Sequence, residues 1–309
     1  MRNVIDINDA RLLVASDIRG NWDNYRKIRD TFQTLRREGE ADVLVLNGNL
    51  IQGSGGYQDR SLQILDDLID NPQPNIIALL GNREFFHIYN IAVVVGGHDF
   101  TEQFEDQIER DRERYVGFMQ KMPYAIRTRG GVVINHAGAN HAIAKSSYNV
   151  AQCVNGSGFL DGFDHGAVVA KLKIATRLAM EKELGSELAD DFFDDYSPQI
   201  GQVFAQTSEG RYLLDVFTNG NEASYGAWQY DSLLMGFIEK MSGRNRPQRH
   251  LMSGNMLVPG EYQMVGGLQL RLGSSGNAED SSRVLGLVDA SRRYPYIDEL
   301  VDDLVPLKV

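Results

Sequence analysis

Short apolar runs alternate with amphipathic stretches along the first third of the chain. Leu12–Ser16, Asp42–Leu46 and Asn75–Leu80 have the length and character of buried strands, and a polar loop follows each of them. Trp22–Glu38 and Ser61–Ile69, which lie between them, place apolar side chains at helical spacing. This alternation predicts βαβ units and a largely parallel sheet.

The rest of the chain predicts further strands and several helices. Strands are predicted at Tyr124–Thr128, Val132–Asn135, Tyr212–Phe217, His250–Ser253, Tyr262–Val265, Leu268–Leu272 and Val284–Val288. Helices are predicted at Gln103–Met122, Ala167–Leu184 and Trp228–Met241, with a surface helix and tail over Tyr294–Val309. Together the two parts predict an α/β fold of two packed mixed sheets flanked by helices. We expect one domain over residues 1–309, with a helical cap or an insertion at about 139–210.

Composition and charge narrow the class of protein. The net charge of −11 argues against general nucleic-acid binding. Apolar runs such as Ile91–Val95 are far too short to cross a bilayer, and the N-terminus lacks the apolar core of a secretion signal. We therefore expect no membrane span and a cytoplasmic location. The single cysteine, Cys153, excludes an internal disulfide framework and a cysteine-based zinc site.

Candidate chemistry lies in five loops, each directly after a predicted strand. These loops contain Asp17-Ile-Arg19-Gly20-Asn21, Gly48-Asn49-Leu-Ile-Gln52-Gly53, Gly81-Asn82-Arg83-Glu84, His136-Ala-Gly138 and Gly254-Asn255. Hydrolysis of a phosphoester by two metal ions needs carboxylate, amide and imidazole ligands that converge from several strand ends, with the ions about 3.5–4 Å apart. The five loops offer such residue types in such places.

In this order the loops resemble the motifs of the calcineurin-like metallophosphoesterases, and most closely the phosphoprotein phosphatase branch. The resemblance runs from about Leu12 to Ala290, is poor over residues 139–210, and implies the αββα sandwich of that family. It also implies three retained metal-ligand types, which are Asp17, Asn82 and His136. Three ligand positions are replaced, by Arg19, Asn49 and Asn255. Arg83 stands at the catalytic histidine, Gln52 at the aspartate that orients it, and Gly53 at a phosphate-binding arginine.

The replacements change what the site can bind. Arginine has no lone pair to offer, so Arg19 and Arg83 cannot ligate a metal. A neutral amide at Asn49 cannot bridge two dications as a carboxylate does. We therefore expect no cofactor beyond, at most, one weakly bound divalent metal near Asn82 and His136.

Three functional hypotheses follow from these replacements. The first is a catalytically inactive phosphatase-like protein that serves as a scaffold, regulatory or assembly subunit, with a protein partner or self-assembly. The second is a module that binds a phosphate, nucleotide or phosphopeptide through Arg19, Arg83 and Asn21 without cleaving it. The third is a residual metal-dependent phosphoesterase. For Arg19 and Arg83, pairing with Asp17 or Glu84 as structural plugs is as open as anion binding.

Overall fold

The computed structural model describes residues 3–52, 58–95, 98–146, 163–184, 198–218, 222–243, 245–256, 258, 260–273 and 283–307. Gly53 and Cys153 lie outside the described residues. The strands are β1 (Val4–Ile7), β2 (Arg11–Ser16), β3 (Val43–Asn47), β4 (Ile76–Leu79), β5 (Val94–Val95), β6 (His98–Asp99), β7 (Ala125–Thr128), β8 (Val132–Asn135), β9 (His250–Ser253), β10 (Tyr262–Val265), β11 (Gln269–Leu272), β12 (Val284–Asp289) and β13 (Val305–Pro306).

Helices follow several of these strands, and six of the described helices come in succession between β8 and β9. The described helices are α1 (Trp22–Arg37), α2 (Ser61–Asp70), α3 (Asn82–Ile88), α4 (Glu102–Ile108), α5 (Arg112–Met119), α6 (His141–Ala144), α7 (His165–Leu184), α8 (Pro198–Gln206), α9 (Ser208–Thr218), α10 (Glu222–Tyr225), α11 (Ala227–Met241) and α12 (Asp298–Asp302). A single 3₁₀ turn, Glu109–Asp111, joins α4 to α5.

The first sheet contains the βαβ units that the sequence predicts. Its five strands run in the order β13-β12-β2-β3-β4, and β2, β3 and β4 are parallel. Residues Leu12 to Ala15 of β2 are all buried, which explains why this strand is a continuous apolar run. The predicted parallel arrangement is confirmed.

The second sheet is mixed and contains six strands in the order β1-β7-β8-β9-β11-β10. The β7–β8 pair is antiparallel, as expected for a hairpin, whereas β8, β9 and β11 are mutually parallel. Apolar side chains of the two sheets meet in one core, which includes Leu12, Val14, Val45, Ile126, Ile134, Met252, Leu270 and Val288. The predicted class, two mixed sheets with flanking helices, is therefore correct.

The chain forms two compact units. The first comprises Met1–Glu84, Met122–Phe163 and Asp215–Val309 and contains both large sheets. The second comprises Phe85–Lys121 and Asp164–Leu214; its described part holds α4, α5, α7 and α8 with the small β5–β6 pair.

Three predicted elements differ from the structure. Tyr212–Phe217 is part of helix α9 and not a strand, because Leu213, Val216 and Phe217 are buried at helical spacing. The predicted helix Gln103–Met122 is interrupted by the 3₁₀ turn. In the C-terminal segment only α12 is helical, and Tyr294, Ile297 and Leu300 are buried in the core, so this segment is not a surface helix.

Candidate functional site

The five candidate loops follow strands, as predicted from the sequence. Asp17 follows β2, Asn49 follows β3, and α3 begins at Asn82 after β4. In the second sheet, His136 follows β8 and Asn255 follows β9. We call the group Asp17, Arg19, Asn49, Asn82, Arg83, His136 and Asn255 the strand-end site.

The backbone of these loops adopts an uncommon conformation. Among the described residues, six that are not glycine have a positive φ, and five of them lie in the candidate loops: Asp17 (54°), Arg19 (53°), Asn49 (50°), Gln52 (60°) and Asn255 (68°). Such a conformation costs of order 1–3 kcal/mol per residue and clusters at functional sites. The candidate loops therefore contain most of the positive-φ positions that the described residues have outside glycine.

Asp17 is the centre of the strand-end site, and its buried carboxylate is fully used. Its Oδ1 accepts hydrogen bonds from Arg19 Nη2 at 3.0 Å, Arg19 Nε at 3.2 Å and Asn49 Nδ2 at 3.1 Å. Its Oδ2 accepts from Ser16 Oγ and the Asn255 N–H, each at 2.8 Å. Both oxygens are thus occupied by protein donors.

The environment of Asp17 favours its charged form. Burial raises the pKa of the carboxyl, but the charges of His136 and Arg19 and the bond from the Asn255 N–H lower it more, so the pKa lies below the usual 3.8. Gly254 lets the backbone approach this carboxylate, since a Cβ there would lie 1.7 Å from Ser16 Oγ.

Asn49 connects Asp17 to the start of α3. Its amide Nδ2 donates to Asp17, while its Oδ1 accepts from the Arg83 backbone N–H at 3.0 Å. The Arg83 guanidinium donates from Nη1 to the carbonyl of Gln52. The Asn49 side chain is therefore a donor to Asp17 and an acceptor for the Arg83 N–H, and both neighbours depend on it.

Glu84 holds these loops together, a role that the sequence reasoning did not assign. Its buried carboxylate accepts from four backbone N–H groups: Leu50 at 2.6 Å, Asn49 at 3.0 Å, Gly81 at 3.1 Å and Ile51 at 3.3 Å. The sequence feature that could have identified Glu84 is its position in the third motif, directly after Arg83. Its pairing with backbone shows that it is not the partner of an arginine plug.

Within the described residues, two buried side-chain atoms of the strand-end site have no hydrogen-bond partner. These are Asn82 Oδ1 and His136 Nε2. His136 Nδ1 lies 2.8 Å from the Asn47 carbonyl, so in the neutral ring Nδ1 carries the proton and Nε2 keeps a lone pair. Asn21, by contrast, accepts the Asn24 N–H at 3.0 Å and caps α1.

The donor set does not fit two metal ions. The carboxylate of Asp17 is occupied, Asn49 is neutral, and the guanidinium groups of Arg19 and Arg83 repel cations. In the described part of the chain, no group of three or more His, Cys, Asp or Glu residues is placed to hold a metal ion. Asn82 Oδ1 and His136 Nε2 remain as two candidate ligand atoms, which suit at most one ion.

The fold and the strand-end site together define a phosphoesterase-like class of protein. The family model for the calcineurin-like phosphoesterases matches residues 10–200. The chain therefore belongs to the calcineurin-like phosphoesterase family. A search of curated proteins finds no match to the sequence.

Solved structures of phosphatases resemble this chain in fold. The cold-active protein-tyrosine phosphatase of a psychrophilic Shewanella species is 13% identical, with 100% of this chain and 83% of that chain covered and a TM-score of 0.51. A point mutant of a cold-active protein tyrosine phosphatase is 12% identical over 94% and 78%, with a TM-score of 0.51. A serine/threonine phosphatase from Saccharomyces cerevisiae is 13% identical over 99% and 82%, with a TM-score of 0.49. At this identity the likeness concerns the fold alone.

No helix in the described ranges is both long and apolar enough to cross a membrane.

Proposed function

We propose that this chain is a catalytically inactive member of its family that acts as a scaffold, regulatory or assembly subunit. The observation that carries the proposal is the complete use of the Asp17 carboxylate by Ser16, Arg19, Asn49 and Asn255. A hydrolytic centre would need those lone pairs for metal ions. In this chain they hold loops together.

The arginines support the same conclusion. Arg19 is almost buried, with 11% of its side chain exposed, and pairs with Asp17 at 3.0 Å. The Arg83 guanidinium bonds the carbonyl of Gln52. Both contacts favour a structural role for the two guanidinium groups, as partners of buried acceptors, over a role in anion binding.

Metal content and hydrolysis test this proposal. We expect protein purified without chelators to contain no stoichiometric manganese, iron or zinc. We also expect hydrolysis of p-nitrophenyl phosphate in manganese to equal that of a His136→Ala variant. Two metal ions per chain, or activity clearly above that control, would overturn the proposal.

A single-ion site is the second candidate, and the unpartnered atoms of Asn82 and His136 favour it. One ion per chain that is lost in both Asn82→Ala and His136→Ala would establish it. Hydrolysis that depends on that ion would make the chain a residual phosphoesterase; an ion without hydrolysis would leave it a structural metal site.

A further inference from the structure

Helix α7 of the second unit has apolar residues on two opposite sides. On one side Leu172 and Thr176 are buried, and the helix packs there against α8. On the other side Ile174 and Leu178 are 63% and 59% exposed. Among the described residues, this side of α7 is left exposed although it carries two large apolar side chains.

The exposed side has a regular chemical pattern. Ala167, Lys171, Ile174, Leu178 and Lys182 recur at i, i+4, i+7, i+11 and i+15 and are all exposed, so they lie in one row along the helix. We call this row the α7 outer face. It combines an apolar ridge with two lysines over a helix about 30 Å long.

The charge on the α7 outer face is opposite to that of the whole chain. The net charge of the chain is −11, yet the charged residues in this row are Lys171 and Lys182. Beside the row, Arg177 pairs with Glu181 at 3.2 Å, and Glu209 of α9 interacts electrostatically with Lys171. A local positive row on an acidic protein selects for an acidic partner by steering and complementarity.

We propose that the α7 outer face is a docking surface for an acidic segment of a protein partner that carries apolar side chains. The apolar side chains of that segment pack on Ile174 and Leu178, and its carboxylates pair with Lys171 and Lys182. Helix-in-groove and helix-on-helix recognition uses the same i, i+4, i+7 anchors. This inference does not depend on whether the strand-end site is catalytic.

Two other occupants fit the surface less well. A second copy of the chain in a two-fold pair would bring identical lysine rows together, which costs energy. An anionic membrane would attract the lysines but repel the rest of a chain of charge −11, and two large apolar side chains bury little area in lipid.

Binding of designed peptides to the full chain tests the proposal. The probe is a labelled helical peptide of about 18 residues with leucines on one face and glutamates elsewhere. One control peptide has lysine in place of glutamate, and another has serine in place of leucine. We expect fluorescence anisotropy to show binding of the acidic peptide, binding about tenfold weaker for the serine peptide, and none for the lysine peptide.

Variants of the protein locate the binding. We expect Ile174→Ser with Leu178→Ser to weaken the acidic peptide by about tenfold or more, and Lys171→Glu with Lys182→Glu to abolish its binding. Matched controls are Met235→Ser, which changes an exposed apolar residue of α11, and Arg36→Glu with Arg37→Glu, which makes the same charge change on α1. Circular dichroism establishes that each variant is folded.

Four outcomes would overturn the proposal. The first is absence of peptide binding, and the second is equal loss of binding in the control variants. The third is binding of phosphatidylserine vesicles that depends on Ile174 and Leu178 while the peptide does not bind. Concentration-dependent dimerisation that Lys171→Glu strengthens would also assign the face to self-assembly instead.

Discussion

Asn49 shows how a single replacement alters the strand-end site. Its Nδ2 lies 3.1 Å from an oxygen of the buried Asp17, so the position demands a hydrogen-bond donor. A carboxylate there would place two negative oxygens at hydrogen-bond distance with no dication between them. The Asn49 amide and the Arg19 guanidinium thus both donate hydrogen bonds to the buried Asp17 carboxylate, and Arg19 also supplies its counter-charge.

We predict that Asn49→Asp destabilises the protein by about 2–4 kcal/mol at pH 7, because two buried carboxylates then face each other. The loss shrinks at lower pH, where one of the pair takes up a proton. Urea denaturation at pH 7 and pH 5 measures both effects. The matched control is Asn21→Asp, which makes the same change at the N-cap of α1, where aspartate is well tolerated. Equal effects of the two substitutions would contradict the explanation.

The Asp17–Arg19 pair gives a prediction with a definite pH window. The lowered pKa of Asp17 means that the pair stabilises the fold above the unfolded value of about 3.9 and that this stabilisation is lost as pH falls through the lower, folded value. We expect Asp17→Asn to cost roughly 3 kcal/mol at pH 7, because it leaves Arg19 without its counter-charge, and to cost less below pH 4.

Denaturation curves from pH 7 to pH 3 test this window. Asp23→Asn is the matched control: Asp23 also pairs with an arginine, Arg26 at 2.7 Å, but both side chains are well exposed. We expect little effect there, since solvent screens exposed pairs. A gap between Asp17→Asn and the unchanged protein that stays constant down to pH 3 would exclude the assigned role of the carboxylate.

At the scale of elements, the first turn of α3 and the loop after β3 are joined by one side chain. Glu84 accepts the backbone N–H groups of Asn49, Leu50 and Ile51 and of Gly81. These four residues lie outside the strands and helices, so no ladder or helix hydrogen bond satisfies their N–H groups. The position of the loop therefore depends on Glu84, whatever the loop now binds.

We predict that Glu84→Gln destabilises the protein by about 2–4 kcal/mol, because the new amide NH₂ faces N–H donors that need an acceptor. Amide hydrogen exchange should accelerate at Asn49, Leu50 and Ile51 before other strand-end residues are affected. Glu40→Gln, at an exposed position, is the control and should change neither quantity. Unaltered protection of the three amides would show that the loop is held by other contacts.

Elements with a strong single period could be predicted from the sequence, and those without one could not. β2, β3 and α1 match their predicted spans closely because a buried strand is a continuous apolar run and a surface helix is amphipathic. The prediction for Tyr212–Phe217 was wrong because a stretch of six residues with five apolar ones fits either period. The burial of its side chains depends on tertiary packing, and that burial favours helix α9 over a strand.

The strand-end site could be located from the sequence but not described. Order and position of the five motifs identify which residues come to the ends of the strands. The bonds among them depend on side-chain direction and on long-range pairing, as in the hydrogen bond from the Asn255 N–H to Asp17. The role of Glu84 was missed for the same reason.

At the scale of the whole molecule, the chain forms two compact units, and each unit buries its own set of side chains. The second unit joins Phe85–Lys121 to Asp164–Leu214, two stretches that are far apart in the sequence. The helical cap or insertion that the sequence predicts at about 139–210 overlaps only the second stretch. Inside this unit the Tyr89 hydroxyl bonds His165 Nδ1 at 2.6 Å, and Tyr89 stacks on Phe204 at 4.0 Å.

His165 should make the second unit sensitive to mild acid. Burial lowers its pKa to about 4, from an ordinary value of 6.5, so the folded unit keeps the ring neutral while the unfolded chain takes up a proton. The stabilisation is complete above pH 6.5 and is lost as pH falls towards 4.

We expect the imidazole to titrate near pH 4 by NMR. We also expect His165→Gln, which still accepts the Tyr89 hydrogen bond, to flatten the fall in stability between pH 6.5 and 4. The exposed His141→Gln is the control. An unchanged slope in His165→Gln would mean that another group, such as the buried His250, sets the acid sensitivity.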